Sequence, residues 1–128
     1  FKEEIMKEIA TKKAPEAVGA YVQGLATDNL IFTSGQLPLD PETGELETDI
    51  KKATKRALEN IKAIVEAGGS SVDKIVKCNV FLDDVNDFAD FNGVYEEFFG
   101  DHKPARSALE VANIPKGAVI EIEAIALV

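Results

Sequence analysis

The sequence predicts an α+β fold in which a sheet of about six strands packs two helices against one of its faces. Two segments carry apolar residues at helical spacing, and segments with strand character precede, separate and follow them. The last segment, residues 118–128, alternates two sets of side chains with the period of a strand. We therefore expect the order β-β-β-α-β-α-β-β within a single domain over residues 1–128.

Three strands are expected before the first helix. They cover residues 9–14, 21–26 and 30–36. The second and third flank residues 27–29, a polar sequence that is typical of a turn between paired strands. Residues 40–45 place a proline and a glycine among polar residues, which predicts a loop.

The first helix is expected to start at Asp49 or Ile50, with the Thr48 hydroxyl as its cap. The glycines at positions 68 and 69 favour its end, because glycine accepts a left-handed backbone. The apolar residues of this segment form one stripe, namely Ile50, Ala53, Ala57, Leu58, Ile61, Ile64 and Val65. A strand over residues 74–82 should follow, since β-branched and aromatic residues dominate there.

A second helix is expected with Asn86 or Asp87 as its cap and Gly100 after its last turn. Its apolar face comprises Phe88, Phe91, Val94, Tyr95 and Phe98. Two strands then end the chain, over residues 106–111 and 118–128, with a turn that contains Pro115 between them.

The final strand has two different faces. One face is wholly apolar and consists of Ala118, Ile120, Ile122, Ala124 and Ala126. The other consists of Val119, Glu121, Glu123, Ile125 and Leu127. Because the second face keeps large apolar side chains, we expect it to be buried against other subunits.

The composition argues against several classes of protein. The net charge is −9, and the short basic clusters at residues 12–13 and 51–56 lie among acids, so nucleic-acid binding is not expected. No apolar run approaches the ~20 residues of a membrane span. The charged N-terminus lacks a signal-peptide core, so we expect a cytoplasmic location. Met6 is a candidate native start, in which case residues 1–5 would be a foreign extension.

No metal site is expected, because a single histidine and a single cysteine cannot form the usual zinc sites. Cys78 lies in the middle of a strand and is predicted to be a core residue rather than a nucleophile. His102 lies in a loop next to a proline and is predicted to be a surface residue. No glycine-rich phosphate loop is present.

Two features of the last strands point to chemistry. Arg106 begins a strand, and its planar guanidinium can hold a carboxylate with two hydrogen bonds. Glu121 and Glu123 share one face of an otherwise apolar strand, where partial burial would let a carboxyl group act as acid or base. Spacing alone favours the simpler interpretation of both features, namely a surface salt bridge for the arginine and exposed glutamates at a sheet edge.

Several motifs in order resemble those of the RidA (YjgF) family over almost the whole chain. The C-terminal motifs are Pro104-Ala105-Arg106-Ser107 and the segment Ile120-Glu121-Ile122-Glu123-Ala124-Ile125-Ala126. The earlier ones are Tyr21-Val22-Gln23, Ser34-Gly35-Gln36 and the second helix with Asp87, Phe88, Asn92, Tyr95, Phe98 and Phe99. This resemblance implies a chorismate-mutase-like α+β fold and a homotrimer with its sites in clefts between subunits.

The resemblance also implies a reaction. It is the hydrolysis of reactive enamines or imines, such as 2-aminoacrylate, to 2-keto acids and ammonia, without metal or cofactor. By motif, Arg106 would grip the substrate carboxylate and Glu121 would activate water and move protons. Five further residues would contact the substrate or line the cleft, namely Tyr21, Ser34, Gly35, Asn92 and the backbone of Ala108.

Three other functions stay open at this point. One is a non-catalytic trimer that binds 2-keto acids and regulates other processes. Another is an endoribonuclease, a label used for parts of the family, which the acidic charge and the single histidine argue against. A chaperone function has no sequence feature to support it. Many family members carry cysteine where this chain has Ala108, so thiol-dependent behaviour is not expected at that position.

Overall fold

The structure is a computed structural model that describes residues 6–128, so the suggestion that residues 1–5 are foreign lies outside the described part. The described residues form two α-helices and six strands. The helices are α1 (Ile50–Ala67) and α2 (Phe88–Phe99). The strands are β1 (Lys7–Ile9), β2 (Gly24–Ala26), β3 (Leu30–Thr33), β4 (Ile75–Leu82), β5 (Ala105–Glu110) and β6 (Ile120–Leu127). The predicted order of elements is confirmed.

All six strands belong to one mixed sheet with the order β1-β2-β3-β6-β4-β5. Neighbouring strands are antiparallel except β4 and β5, which are parallel. Parallel neighbours need a crossover connection, and α2 supplies it. The last strand in the chain, β6, thus lies in the middle of the sheet, while β5 lies at an edge.

The alternation predicted for β6 is confirmed, and it divides the sheet into two faces. Ile120, Ile122, Ala124 and Ala126 are buried in the same core as the apolar stripes of both helices. We call this side the helix face. Glu121, Glu123 and Ile125 point to the other side, the open face, and are half-buried. Exposed apolar side chains there include Phe32, Leu109 and Leu127.

The predicted cap of α1 is wrong by one residue. Asp49 caps the helix, because its carboxylate accepts a hydrogen bond from the backbone N–H of Lys52 at 3.0 Å. The end of the helix is as predicted, with Gly69 in the left-handed region at φ 90°.

Of the two caps expected for α2, Asp87 is the N-cap residue by position, but its side chain makes no capping hydrogen bond. Its backbone angles are helical. A short 3₁₀ turn, Val85–Asp87, precedes the helix, and Asp84 caps that turn by accepting from the N–H of Asn86 at 2.9 Å. Gly100, at φ 64°, ends the helix as expected.

The first strand is shorter and earlier than the predicted 9–14. The buried side chain of Gln23 takes the backbone groups that a longer strand would need. It accepts from the N–H of Thr11 at 2.7 Å and donates to the carbonyls of Thr11, Ala14 and Pro15 at 2.9, 3.2 and 2.8 Å. The chain therefore turns away from the sheet after Ile9.

The second and third strands are also shorter than predicted. Tyr21 lies before β2, and Ser34 and Gly35 lie after β3. Only Gln36 returns to the sheet, as an isolated antiparallel bridge with Ile122. Three of the residues that lie outside the shortened strands, Tyr21, Ser34 and Gly35, are ones that the sequence motifs predict for the site.

Candidate functional site

Arg106 is held in place by helix α2. Its Nη1 donates a 2.7 Å hydrogen bond to Oδ1 of Asn92. Its guanidinium carbon lies 5.5, 5.4 and 4.8 Å from the ring centroids of Phe88, Phe91 and Tyr95. Aromatic rings attract a cation through their π faces, so these three rings orient the guanidinium without neutralising its charge. The alternative of a surface salt bridge does not describe this arginine.

The Arg106 side chain lines a cleft of about 350 Å³. Asn92 and Tyr95 of α2 line this cleft, as do His102 and Lys103 in the loop before β5. His102, which was predicted to be a surface residue, is partly buried. Its Nε2 lies 2.6 Å from the carbonyl oxygen of Ile75, and the ring lies close to the ring of Phe99 in α2.

Ala108 lies two residues after Arg106 on the edge strand β5, and its side chain packs against the core on the same face. The N–H of Val111 binds the carbonyl of Leu82 in β4. Because backbone groups alternate along a strand, the N–H of Ala108 points the other way, to the free edge. Arg106 and the backbone of Ala108 thus offer a cation and a hydrogen-bond donor at one edge.

Gly35 lies against Glu121 on the open face. A β-carbon on Gly35 would lie 2.5 Å from Oε2 and 2.9 Å from Cδ of Glu121. No real side chain tolerates such distances, so only glycine leaves the carboxyl group where it is. The glycine predicted for close approach to a ligand therefore adjoins the predicted acid–base residue.

Tyr21 and Ser34 lie in the same region as Gly35 and Glu121, and all four line a cleft of about 920 Å³. The Ser34 hydroxyl donates to the carbonyl of Val22 at 2.6 Å, and its N–H donates to the carbonyl of Gln23 at 2.8 Å. These bonds hold the segment that carries Tyr21, whose side chain is 52% exposed and free to meet a ligand. Within one chain, Ser34 thus holds in place the part of the cleft wall that contains Tyr21.

The environment of Glu121 changes its acidity. Burial raises the pKa of the Glu121 carboxyl above its usual value, and the negative charge of Glu123 on the same strand raises it further. A carboxyl group of this kind carries its proton at a higher pH than an exposed glutamate does. That property suits a group that must both give and take protons.

The predicted site residues form two groups on opposite faces of the sheet. Arg106 pairs in register with Cys78, which is fully buried on the helix face. Glu121 pairs with Phe81, one residue from the buried Val80, on the open face. The Arg106 group contains Asn92 and Ala108, and the Glu121 group contains Tyr21, Ser34 and Gly35. One chain therefore does not bring Arg106 and Glu121 together.

Sequence reasoning missed two buried polar residues, Gln23 and Asn60, whose side chains hold chain segments that line the cleft containing Glu121. Gln23 holds residues 11–15, as described above. Asn60 is completely buried in α1, and its amide donates to the carbonyls of Leu37 and Leu39 at 3.1 and 3.0 Å. Both leucines line the cleft. An asparagine on the apolar stripe of a helix indicates hydrogen bonds of this kind, since a buried amide needs partners.

Cys78 is fully buried, as predicted for a core residue, and burial raises the pKa of its thiol. A buried thiol of raised pKa is a poor nucleophile. In residues 6–128, no group of three histidine, cysteine, aspartate or glutamate side chains is placed to hold a metal ion. Neither described helix is long and apolar enough to cross a bilayer.

Comparisons with known proteins place these residues in a family. The sequence model of the family described as Endoribonuclease L-PSP matches residues 11–128. The 2-iminobutanoate/2-iminopropanoate deaminase of Escherichia coli K12 is 53% identical over 94% of this chain and 97% of that protein. A RutC family protein of Pyrococcus abyssi is 55% identical over 92% of this chain and 94% of that protein.

Solved structures agree with the fold. The crystal structure of E. coli TdcF with bound serine has a TM-score of 0.93 at 49% identity and covers 95% of this chain and 98% of that one. The structure of the E. coli YjgF gene product has a TM-score of 0.92 at 53% identity, with 94% and 98% covered. The chain thus belongs to the RidA/YjgF family, whose sequence model carries the name Endoribonuclease L-PSP.

Proposed function

We propose that this protein is a 2-imino acid deaminase that hydrolyses enamines and imines derived from amino acids to 2-keto acids and ammonia. The observation that carries the proposal is the Arg106 guanidinium, oriented by Asn92 and three aromatic rings at the mouth of a cleft. Such a cation is suited to a carboxylate. Relatives at about 50% identity are named 2-iminobutanoate/2-iminopropanoate deaminase and putative reactive intermediate deaminase, and these names support the same chemistry.

The proposed mechanism uses Glu121 in both protonation states. With 2-aminoacrylate, the protonated Glu121 carboxyl gives its proton to the β-carbon, which yields the protonated imine (the iminium). The resulting carboxylate accepts a proton from a water molecule while the water oxygen bonds to the imine carbon. That proton passes to nitrogen, the C–N bond breaks as ammonia leaves, and the hydroxyl proton returns to the Glu121 carboxylate as the carbonyl of the keto acid forms. Positioning and one proton-handling group suffice, because the imine carbon is already electrophilic.

The proposed site requires two subunits. Arg106 lies at the β5 edge on the helix face, whereas Glu121 lies on the open face two strands away. Docking the β5 edge of one subunit onto the open face of its neighbour would place both groups in one cleft. The exposed apolar residues Phe32, Leu109 and Leu127 make the open face a candidate interface. We propose a homotrimer in which three such faces turn inward.

Turnover of freshly generated 2-aminoacrylate tests the proposal. Release of ammonia and pyruvate above the spontaneous rate is expected from the wild type. Arg106→Ala should abolish it, and Arg106→Lys should recover only part, since lysine lacks the planar fork. A wild type that never exceeds the spontaneous rate, or an Arg106→Ala variant with full activity, would contradict it.

A non-catalytic trimer that binds small acids is the second candidate. The related TdcF structure with bound serine favours it, because that ligand carries the carboxylate that Arg106 would hold. Here Arg106 would be essential for binding and Glu121 would not. Wild-type binding of 2-keto acids by Glu121→Gln, together with no turnover by the wild type, would select this function.

A further inference from the structure

Next to Glu121 on the open face lies a second carboxylate that the proposed mechanism does not use. Glu123 follows two residues later on β6, and both glutamates line the same cleft as Gly35. Side chains two residues apart on a strand share a face at a separation of about 7 Å. At that distance two carboxylates in a half-buried site repel each other appreciably.

The position of Glu123 is determined by the neighbouring strand. Asn79 in β4 faces Glu123 in register, and its Nδ2 donates to Oε2 of Glu123 at 2.9 Å. Without this bond, the carboxylate would turn towards solvent, where water screens its charge. The side-chain amide adds no charge of its own, so it fixes the acid without neutralising it.

We propose that Glu123, held by Asn79, is a positioning residue that sets the charge state of Glu121, and thereby the pH range in which the deaminase works. This inference rests on the proposed function of Glu121 as the acid–base group. It goes further by assigning a role to two residues outside the reacting set. Glu123 touches neither substrate nor water in this account and acts only through Glu121.

Other charged or titratable side chains also face this region, and the test must allow for them. These side chains are Glu16, Tyr21, Asp40, Lys77 and Lys116. Lys116 has a left-handed backbone at φ 62° in the turn before β6. Lys77 lies beside Glu123 rather than Glu121, and its Nζ donates to the hydroxyl of Ser107 at 3.3 Å. Only Glu123 shares both the strand and the face of Glu121.

The direct experiment is a ¹³C NMR titration of the glutamate side-chain carboxyl groups in the intact assembly. The Glu121 signal is assigned by its loss in Glu121→Gln. In Glu123→Gln, which keeps the shape and removes the charge, the Glu121 midpoint should move to lower pH by roughly 0.5–1 unit. In Asn79→Ala the shift should have the same sign and be smaller. An unchanged midpoint in Glu123→Gln would overturn the inference.

Glu66→Gln is the matched control, because it makes the same change in net charge at an exposed position of α1, on the other side of the sheet. Its Glu121 midpoint should stay at the wild-type value. The NMR titration needs no substrate, so it can fail or succeed whether or not the protein hydrolyses imines. Where turnover is measurable, the pH–rate profile of Glu123→Gln should move in the same direction as the midpoint. A profile that stays fixed while the midpoint moves would show that Glu123 does not set the working range.

Discussion

Oδ1 of Asn92 accepts a hydrogen bond of 2.7 Å from Nη1 of Arg106, and this bond joins helix α2 to the edge strand β5. Asn92 was expected from its motif to line the cleft. Its contact with the arginine gives it a more specific role, because it fixes one nitrogen of the guanidinium and leaves the others for a ligand. In this account Asn92 acts through Arg106.

Removing the Asn92 amide should weaken substrate binding. A hydrogen bond to a charged group contributes about 1.5–3 kcal/mol, so Asn92→Ala should raise KM or the Kd for a keto acid by about tenfold or more. Isothermal titration with 2-oxobutanoate measures the effect. Glu97→Gln, on the exposed side of the same helix, should bind normally. Normal affinity in Asn92→Ala would mean that Arg106 needs no orienting partner.

Gly35→Ala should strongly reduce activity while the protein stays folded. The new methyl group would meet the Glu121 carboxyl at 2.5 Å, and the flexible glutamate would swing away at little cost to the fold. We expect a loss of about 100-fold in kcat with a thermal midpoint close to that of the wild type. Gly93→Ala is the control, since a β-carbon there meets nothing within 4 Å. Alanine at this helical position should leave the free energy of unfolding unchanged or raise it by about 0.5–1 kcal/mol.

Glu121 should cost stability at neutral pH. Its pKa is raised in the folded state, so the folded protein keeps this proton over a pH range in which the unfolded chain has already lost it. The free energy of unfolding therefore falls as the pH rises from the usual glutamate pKa of 4.5 to the raised pKa of Glu121. At higher pH it stays at this lower value. Glu121→Gln should be more stable at pH 7, by at most about 1 kcal/mol because the group is half-exposed. Denaturant unfolding at pH 4 and pH 7 should show the difference only at pH 7.

Asn60→Leu should destabilise the protein and disturb the Glu121 cleft. It would remove the amide that binds the carbonyls of Leu37 and Leu39, and the oxygen that accepts from Nη2 of Arg56 at 3.0 Å. Buried groups without partners cost about 1–3 kcal/mol each. Urea unfolding measures this loss, with Lys55→Gln on the exposed side of α1 as the control. A variant as stable as the wild type would show that the loop holds without Asn60.

Periodicity predicted the regular elements well, and it did so for a physical reason. The two helices and the strands β4 to β6 each bury one face in a common core, so their apolar residues repeat with the period of the element. The caps at Asp49 and Asp84 differ from prediction by one to three residues, because several neighbouring side chains could each have accepted the first N–H groups.

Residues 9–36 were predicted less well because side chains there compete with the sheet for backbone hydrogen bonds. Gln23 takes those of residues 11–15, and Ser34 takes the carbonyl of Val22. Such contacts depend on tertiary packing, and spacing carries no signal for them. The sequence motifs still identified Tyr21, Ser34 and Gly35, which lie together beside Glu121.

The placement of Arg106 and Glu121 on opposite faces could not be predicted from local pattern. It depends on the register of β5 and β6 with β4, the strand between them, and on the position of α2. If Arg106 and Glu121 form one site, they must therefore come from different subunits.

Mixing two inactive variants tests that claim most directly. Arg106→Ala and Glu121→Gln are each expected to be inactive alone, and they can be co-expressed or refolded together at equal amounts. In randomly mixed trimers, three quarters contain both kinds of subunit and each of these has one intact site of three, so about a quarter of wild-type activity should return. Mixed trimers that are present by native mass spectrometry but stay inactive would contradict a site shared between Arg106 of one subunit and Glu121 of its neighbour.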